Sequence, residues 1–368
     1  MYAFENRSWD SLPDAISSSV KTLNHALNDD AQWQAFIRTD AISEPVIFGI
    51  RSSATDDAVL VTVGPGSSTV VSCGSSSRCD FVLVAEPSHW EEFFSAHPRA
   101  PYTSFVGIQV GPSFHGEGPQ EIMFLHTAGS DSRQYHAVMN DPTMRRKCKM
   151  IAFDLPAHGR SFPGENHIPG NYTNTEDAYV GAVREMVKVL KLNKPIICGA
   201  SMAGQVCIAV AIRAEEVGAG GTIPLQACDY LAMERHFDDK SPFINQSLFN
   251  PNWIYGVMAP SAPLANKKLI WHLYSGQAYG IFHGDLDFYL GGFDARSRLS
   301  QIDVKKCPVY FLTGEFDWGT TPDMSHATAV KIKGAEFKRM HGLGHFPATE
   351  NPSIFVCNFP ILTPSDLR

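Results

Sequence analysis

The first residues, MYAFENRSWDSLPDAISSSV, lack a basic stretch followed by an apolar run, so no signal peptide is expected and the protein is read as cytoplasmic. Long hydrophobic runs are missing too. The nearest approach, Pro195–Ile212 (PIICGASMAGQVCIAVAI), is broken by Ser201 and Gln205 and punctuated by Pro195, Gly199 and Gly204, which makes it a poor membrane span. Positive charge is in deficit: 30 Lys and Arg stand against 38 Asp and Glu, a formal net charge of -8 with no basic cluster, which argues against nucleic acid as a partner. No Gly-x-Gly-x-x-Gly or phosphate loop points to a nucleotide, and the 14 histidines include no His-Glu-x-x-His pair, so neither cofactor nor metal is expected. The densest metal-like cluster is FHGDLDFY at 282–289, holding His283, Asp285 and Asp287 with His272 upstream; it reads as polar spots and helix caps among aromatics. The 8 cysteines form no Cys-x-x-Cys pair and several lie in apolar runs, the usage of reduced thiols in an intracellular protein, with a Cys73–Cys79 disulfide as the alternative.

What is present is a globular composition, 44% hydrophobic and 18% charged, in 368 residues, enough for either one large core or a core plus a smaller unit. Residues 1–115 read as an α+β unit. Helical spacing covers Leu23–Ile37, short β-prone runs separated by turn residues cover Val46–Ile50, Ala58–Val63, Thr69–Cys73 and Asp80–Ala85, and His89–Ala96 is a short amphipathic helix. Gly107–Gln120, rich in glycine and proline, reads as a strand and linker. From residue 121 the pattern becomes strand–helix alternation, in a second domain placed at 116–368. Strands are expected at Glu121–Leu125, Met150–Phe153, Lys194–Gly199, Gly221–Cys228, Pro308–Thr313 and Glu336–Met340, with helices at Thr175–Lys191 and Val206–Glu215. Such alternation predicts an α/β fold with a mostly parallel sheet covered on both faces. Between Asp229 and Asp303 it stops, and the aromatic-rich stretch at about 230–300 reads as a cap inserted into the domain.

The sharpest chemical signal is Gly199-Ala200-Ser201-Met202-Ala203-Gly204, after the strand KPIIC and before an apolar helix. Small residues there permit a tight strand-to-helix turn that exposes the Ser201 hydroxyl as a nucleophile. A serine needs a base. His345, in the glycine-rich loop HGLGHFP at 341–347, is preferred over His341, which directly follows a strand. The base needs an orienting carboxylate, and Asp317 in GEFD after the strand PVYFLT is preferred over Glu315 and Asp229. The loop His126-Thr127-Ala128-Gly129-Ser130 after EIMFL would supply the Ala128 amide, facing the Met202 amide, as an oxyanion hole, with Ser130 and Arg133 placed to touch substrate.

On HTAGS at 126–130, FDLPAHGRS at 153–161, GASMAG at 199–204, TGEFD at 313–317 and GLGHFP at 342–347, residues 121 to the end resemble the α/β-hydrolase superfamily. They look like its branch of lactonases, carboxylesterases and carbon–carbon bond hydrolases. The resemblance implies a serine hydrolase working through an acyl-enzyme, with ester or lactone cleavage preferred over carbon–carbon cleavage; reuse of the fold as a non-catalytic ligand receptor is the competing class. It also implies that the loop from Asp154 to Ser161 is structural, so His158 is not read as catalytic. Two departures bear on pocket shape: Thr127 stands where the family commonly has glycine, and Ala203 replaces another glycine. Residues 45–115 are similar to sterol-carrier-type domains through their strands followed by SHWEEFFSAHP and a further strand.

The expected substrate is a small aromatic or polyketide-like molecule, because Trp253, Tyr255, Trp271, Tyr274, Tyr279, Phe282, Phe288 and Tyr289 crowd the cap and Trp318 follows the acid. Trp271, Tyr279, His283, Trp318 and Ser130 are the expected contacts. Carbon–carbon cleavage would further need protonation at carbon, for which His126 or a cap histidine is the candidate. The N-terminal unit is expected to assist assembly, including homo-oligomer formation, or to complete the pocket, without an activity of its own.

Overall fold

The structure, a computed structural model, describes residues 45–64, 69–94, 113–116, 118–161, 172–232, 241 and 243–360, together with residues 12, 14, 16–18 and 20. The expected helix Leu23–Ile37 and the segment 107–112 lie outside the described residues. The chain divides into two compact units, Met1–Val110 and Gly111–Arg368.

In the first unit, β1 (Val46–Ser52), β2 (Asp57–Val63), β3 (Thr69–Ser75) and β4 (Phe81–Ala85) form a sheet in the order β3-β2-β1-β4. The first three strands pair antiparallel, while β4 lies parallel to β1. Alternate residues Val59, Val61 and Val63 of β2 turn to a core that also takes Ile50, Leu12, Ile16 and Trp90. Trp90, on the helix Pro87–Phe93, is buried and donates its indole N–H to the Arg51 carbonyl at 2.8 Å, which joins helix to sheet.

The second unit is built on β5 (Ser113–His115), β6 (Gln120–Leu125), β7 (Cys148–Ala152), β8 (Ile196–Ala200), β9 (Gly221–Leu225), β10 (Tyr310–Gly314) and β11 (Glu336–Met340). Their order is β11-β10-β9-β8-β6-β7-β5, and every pairing is parallel except β5 with β7. The central strands are buried on both faces, which is why they read as continuous apolar runs. Helix Glu176–Val189 shows how the covering layer is specified. Thr175 caps it by accepting the Ala178 amide at 3.2 Å, Glu176 and Asp177 sit in its first turn and Lys188 in its last, and Tyr179, Val180, Val183 and Val187 form the buried face.

Most elements of this unit shift by one or two residues from the sequence expectation, and two shift further. The helix expected at Val206–Glu215 begins at Met202 and ends at Ile212. Its first turn is possible because a Cβ at Gly204 would meet the Leu225 carbonyl oxygen at 2.4 Å, so glycine lets the helix press onto β9. Strand β9 stops at Leu225, where Gln226 turns into the left-handed region with φ 47°.

Between β9 and β10 lies the cap. Its helices are Gln246–Tyr255, Leu264–Ser275 and Ile281–Asp287, followed by a tight turn over Phe288–Gly292. The insertion leaves and rejoins the domain at one place: Tyr230 bridges Asp294, and the Ala295 amide donates to the Asp229 carbonyl at 2.9 Å. Among the described residues no helix is long and apolar enough to cross a membrane.

Candidate active site

Parallel strands all deliver their C-terminal ends to one edge, and four loops meet there. At the end of β8, Ser201 sits with φ 61° and ψ -123°, a conformation that costs an L-residue roughly 1–3 kcal/mol. The turn is pinned by the Ser201 amide donating to the Leu225 carbonyl at 2.9 Å and by the Gln205 amide donating to the Ser201 carbonyl at 3.1 Å. A Cβ at Gly199 would meet the Ala203 Cβ at 2.7 Å, which explains the glycine before the serine and shows that alanine fits at 203.

His345 Nε2 is 2.9 Å from Ser201 Oγ, and His345 Nδ1 is 2.9 Å from Asp317 Oδ2. Asp317 Oδ1 accepts the amides of Gly319 at 2.9 Å and Thr320 at 3.1 Å, which fixes the carboxylate plane. All three side chains are buried. Burial alone lowers the His345 imidazole, but the charge and hydrogen bond of Asp317, aided by the Glu350 charge, hold it above its usual value. The competitors point elsewhere. His341 is exposed and lies 3.4 Å from Glu315, while Asp229 pairs with Lys331 at 2.7 Å.

The loop after β6 offers one amide. Thr127 N–H donates to Gln134 Oε1 at 2.9 Å, Gly129 N–H to Asp285 Oδ2 at 2.7 Å, and Ser130 N–H to the Thr127 carbonyl at 3.3 Å. Ala128 N–H has no acceptor among the described residues, and neither has Met202 N–H at the start of the helix that follows Ser201. The loop is clamped by the cap. Gly129 has φ 56°, and a Cβ there would strike Phe282 at 2.5 Å. Asp285, fully buried, accepts from Gly129, from Tyr179 Oη at 2.5 Å and from His158 Nε2 at 2.7 Å. Burial works against both charges of the His158–Asp285 pair, yet each charge holds the other, so His158 is raised and Asp285 lowered. His126 is neutral: burial first, then the His158 charge, push it down to about 4. Its Nε2 accepts the Leu155 amide at 3.0 Å and its Nδ1 is 2.9 Å from the Thr127 carbonyl, so both ring nitrogens are engaged with backbone.

The cleft over Ser201 is walled by apolar and aromatic side chains, with His345 at its floor. Of the expected substrate contacts, Trp318 lines it, with its indole N–H donating to the Gly256 carbonyl at 3.2 Å. The others lie outside its walls. Trp271 donates to Asn252 at 2.9 Å, Tyr279 is exposed, His283 lies 3.5 Å from Asp287, and Ser130 is buried behind the loop. Arg133 forks onto Asp131. Among the described residues no three His, Cys, Asp or Glu side chains are grouped to hold a metal ion.

Two functional supports carry no motif in the sequence: the Asp285 clamp and Glu350. The Glu350 carboxylate is fully buried and accepts the amides of Gly344 at 2.7 Å, Phe346 at 2.9 Å and Ala259 at 3.1 Å, bracing the His345 loop on both sides and tying it to the cap. A Cβ at Gly344 would meet the Ala259 nitrogen at 2.5 Å, so this contact requires glycine. A glutamine amide accepts through one oxygen only. Glu350→Gln is therefore expected to cost about 1–3 kcal/mol in urea unfolding and to lower kcat more than it changes KM.

A sheet of this order, a sharp serine-bearing turn between strand and helix and a helical cap between strands together define an α/β-hydrolase fold. Residues 122–357 match the alpha/beta hydrolase family, and the chain belongs to it. No curated protein matches in sequence. Among solved structures, the chain resembles the enol-lactonase from Burkholderia xenovorans at 15% identity and TM-score 0.57, over 67% of this chain and 94% of that one. A thermophilic esterase from Thermogutta terrifontis is similar at 19% identity and TM-score 0.54, over 67% and 90%. The bromoperoxidase from Bacillus anthracis is similar at 16% identity and TM-score 0.54, over 66% and 91%. At these identities the likeness is one of fold.

Proposed function

We propose that the protein is a serine hydrolase that opens an ester or lactone of a small, uncharged molecule bearing an aromatic or similarly flat apolar group. The observation that carries this reading is the hydrogen-bonded series Ser201–His345–Asp317 at the floor of an apolar cleft. His345 removes the hydroxyl proton as Ser201 attacks the carbonyl carbon, and Asp317 stabilises the imidazolium that forms. The amides of Ala128 and Met202 hold the oxyanion. Collapse expels the alcohol and leaves an acyl-enzyme, which a water activated by His345 then hydrolyses.

The cleft favours neutral substrates because its walls, Leu231, Trp253, Ile254, Val257, Phe282 and Leu286 among them, hold no formal charge. The cap's Asp285 and Asp287 are turned to His158 and His283. The printed names of the enol-lactonase and the esterase point the same way. The N-terminal unit is proposed to have no activity of its own.

Product mass tests the reaction: ester or lactone opening yields an alcohol and an acid, whereas carbon–carbon hydrolysis yields a new C–H bond. The base must be neutral to accept the serine proton. Because His345 is held above its usual 6.5, kcat/KM should rise with pH through a value above 6.5 and then level off. A pH profile flat down to 5 would remove His345 from the base role.

A further inference from the structure

Two cap phenols line the cleft. Tyr274 uses its hydroxyl on Thr127 Oγ1 at 2.6 Å, whereas Tyr289, which lines the cleft together with Ser201 and His345, turns its hydroxyl to Thr320. Tyr289 is buried and held at both ends. Its carbonyl accepts from Gln205 Nε2 at 3.2 Å, and Gln205 lies one turn beyond Ser201. Its hydroxyl is 2.5 Å from Thr320 Oγ1, whose own amide is fixed to Asp317. Tyr289, Ser201 and His345 line the same cleft. The backbone leaves helical geometry immediately afterwards, at Leu290 (φ -101°, ψ 69°) and Gly291 (φ 106°).

The side on which this hydroxyl lies decides what it can do. In the order β10-β9-β8-β6, the loop after β6 with Ala128 is on one side of Ser201, and the loop after β10 with Asp317 and Thr320 is on the other. A carbonyl oxygen held by the Ala128 and Met202 amides points away from Thr320 and Tyr289. The alkoxy oxygen of the tetrahedral intermediate must instead come within reach of His345 Nε2, which carries the proton, and that is the side Tyr289 occupies.

We infer that Tyr289 is a further catalytic residue, donating a hydrogen bond to the departing alkoxy oxygen as its bond to carbon breaks. This rests on the serine-hydrolase reading above. The electron pair of the broken C–O bond goes to the alkoxy oxygen, His345 Nε2–H supplies the proton, and Tyr289 keeps its own. Burial, followed by the Asp317 charge, holds the phenol well above its ordinary value, so it serves as a donor and not as a base.

The test compares the intact enzyme with Tyr289→Phe on two benzoate esters, one of p-nitrophenol and one of ethanol, by kcat/KM, which covers the steps through acylation. Nitrophenolate leaves unaided and ethoxide does not. The expected result is a loss of about 10- to 100-fold on the ethyl ester and less than about 3-fold on the nitrophenyl ester. A fluorophosphonate, whose fluoride also leaves unaided, should label Ser201 in the variant at the wild-type rate and so report an intact fold and nucleophile. Equal loss on both esters, or loss on neither, overturns the inference. A second arm places 3,5-difluorotyrosine at 289, keeping the ring's shape with a more acidic hydroxyl. The gap between the two esters should narrow, and an unchanged or wider gap also overturns it. Failure of the wild-type enzyme to label at Ser201 would bring down the serine-hydrolase reading itself, and this inference with it.

Discussion

Replacing Ser201 with alanine should abolish turnover, by about 10⁴- to 10⁶-fold in kcat, and remove labelling by a fluorophosphonate. The oxyanion amides and the cleft remain, so what survives is the rate that binding and oxyanion stabilisation supply without a nucleophile. The same position makes a second, independent measurement possible. Ser201 holds φ 61° and ψ -123°, which alanine tolerates no better than serine and glycine adopts readily. Ser201→Gly should therefore be as inactive as Ser201→Ala yet about 1 kcal/mol more stable than it in urea unfolding. Full activity in either variant would dismiss Ser201 as nucleophile. Equal stability of the two would mean that the turn carries no strain.

The largest loss of stability is expected at Asp285. Asp285→Ala removes the acceptor for His158, Tyr179 and Gly129 at once and leaves the imidazole in an apolar interior without its counter-charge. Breaking a buried pair in this way costs about 3–5 kcal/mol, and denaturant unfolding of the variant reads it directly. Asp285→Asn, which keeps an acceptor but not the charge, should lose less. The sign with pH follows from both partners. Asp285 is lowered in the folded state, so its contribution is present above the ordinary carboxylate value of 3.8 and is lost as pH falls through the lowered one. His158 is raised, so its contribution is complete below 6.5 and is lost as pH rises through the raised value. Stability unchanged between Asp285→Ala and the parent would show that the clamp is idle. Turnover should fall as well, since the Gly129 amide is released beside Ala128.

That Ser201, Asp317 and His345 converge was legible from the chain because each follows a strand of one parallel sheet, and parallel strands send their C-terminal ends to one edge. The glycines around them were informative for a steric reason: at 199, 204 and 344 a Cβ would collide with backbone or with Ala203. Contacts within the cap were not legible. The three helices among its described residues bury parts of several faces, so helical spacing does not say which aromatic looks into the cleft, and Trp271 and Tyr279 lie outside it while Tyr289 and Trp253 line it. The Asp285 clamp was hidden for another reason. His158 and Asp285 are 127 positions apart in the chain, and nothing local marks either as a partner of the other. Nothing in the sequence marks Glu350, because its role consists of accepting backbone amides, and backbone amides leave no trace in residue identity.

The neck of the cap has an evolutionary consequence. Because the Tyr230–Asp294 bridge and the Ala295–Asp229 hydrogen bond bring the ends of the insertion together, the core sees only a single step of chain where the cap begins and ends. Closing a loop costs little more as it lengthens, about 0.6 kcal/mol for each doubling. Chain closure at the neck therefore sets little limit on the length of the segment between Asp229 and Ala295; what limits its exchange is the Asp285 and Ala259 contacts to the core. Tyr289 and Asp285 would travel with such a cassette, and Ser201, Asp317 and His345 would stay behind. Recombination at this one joint can thus hand a new choice of molecule to an inherited reaction, and the two histories, of chemistry and of taste, need not be the same.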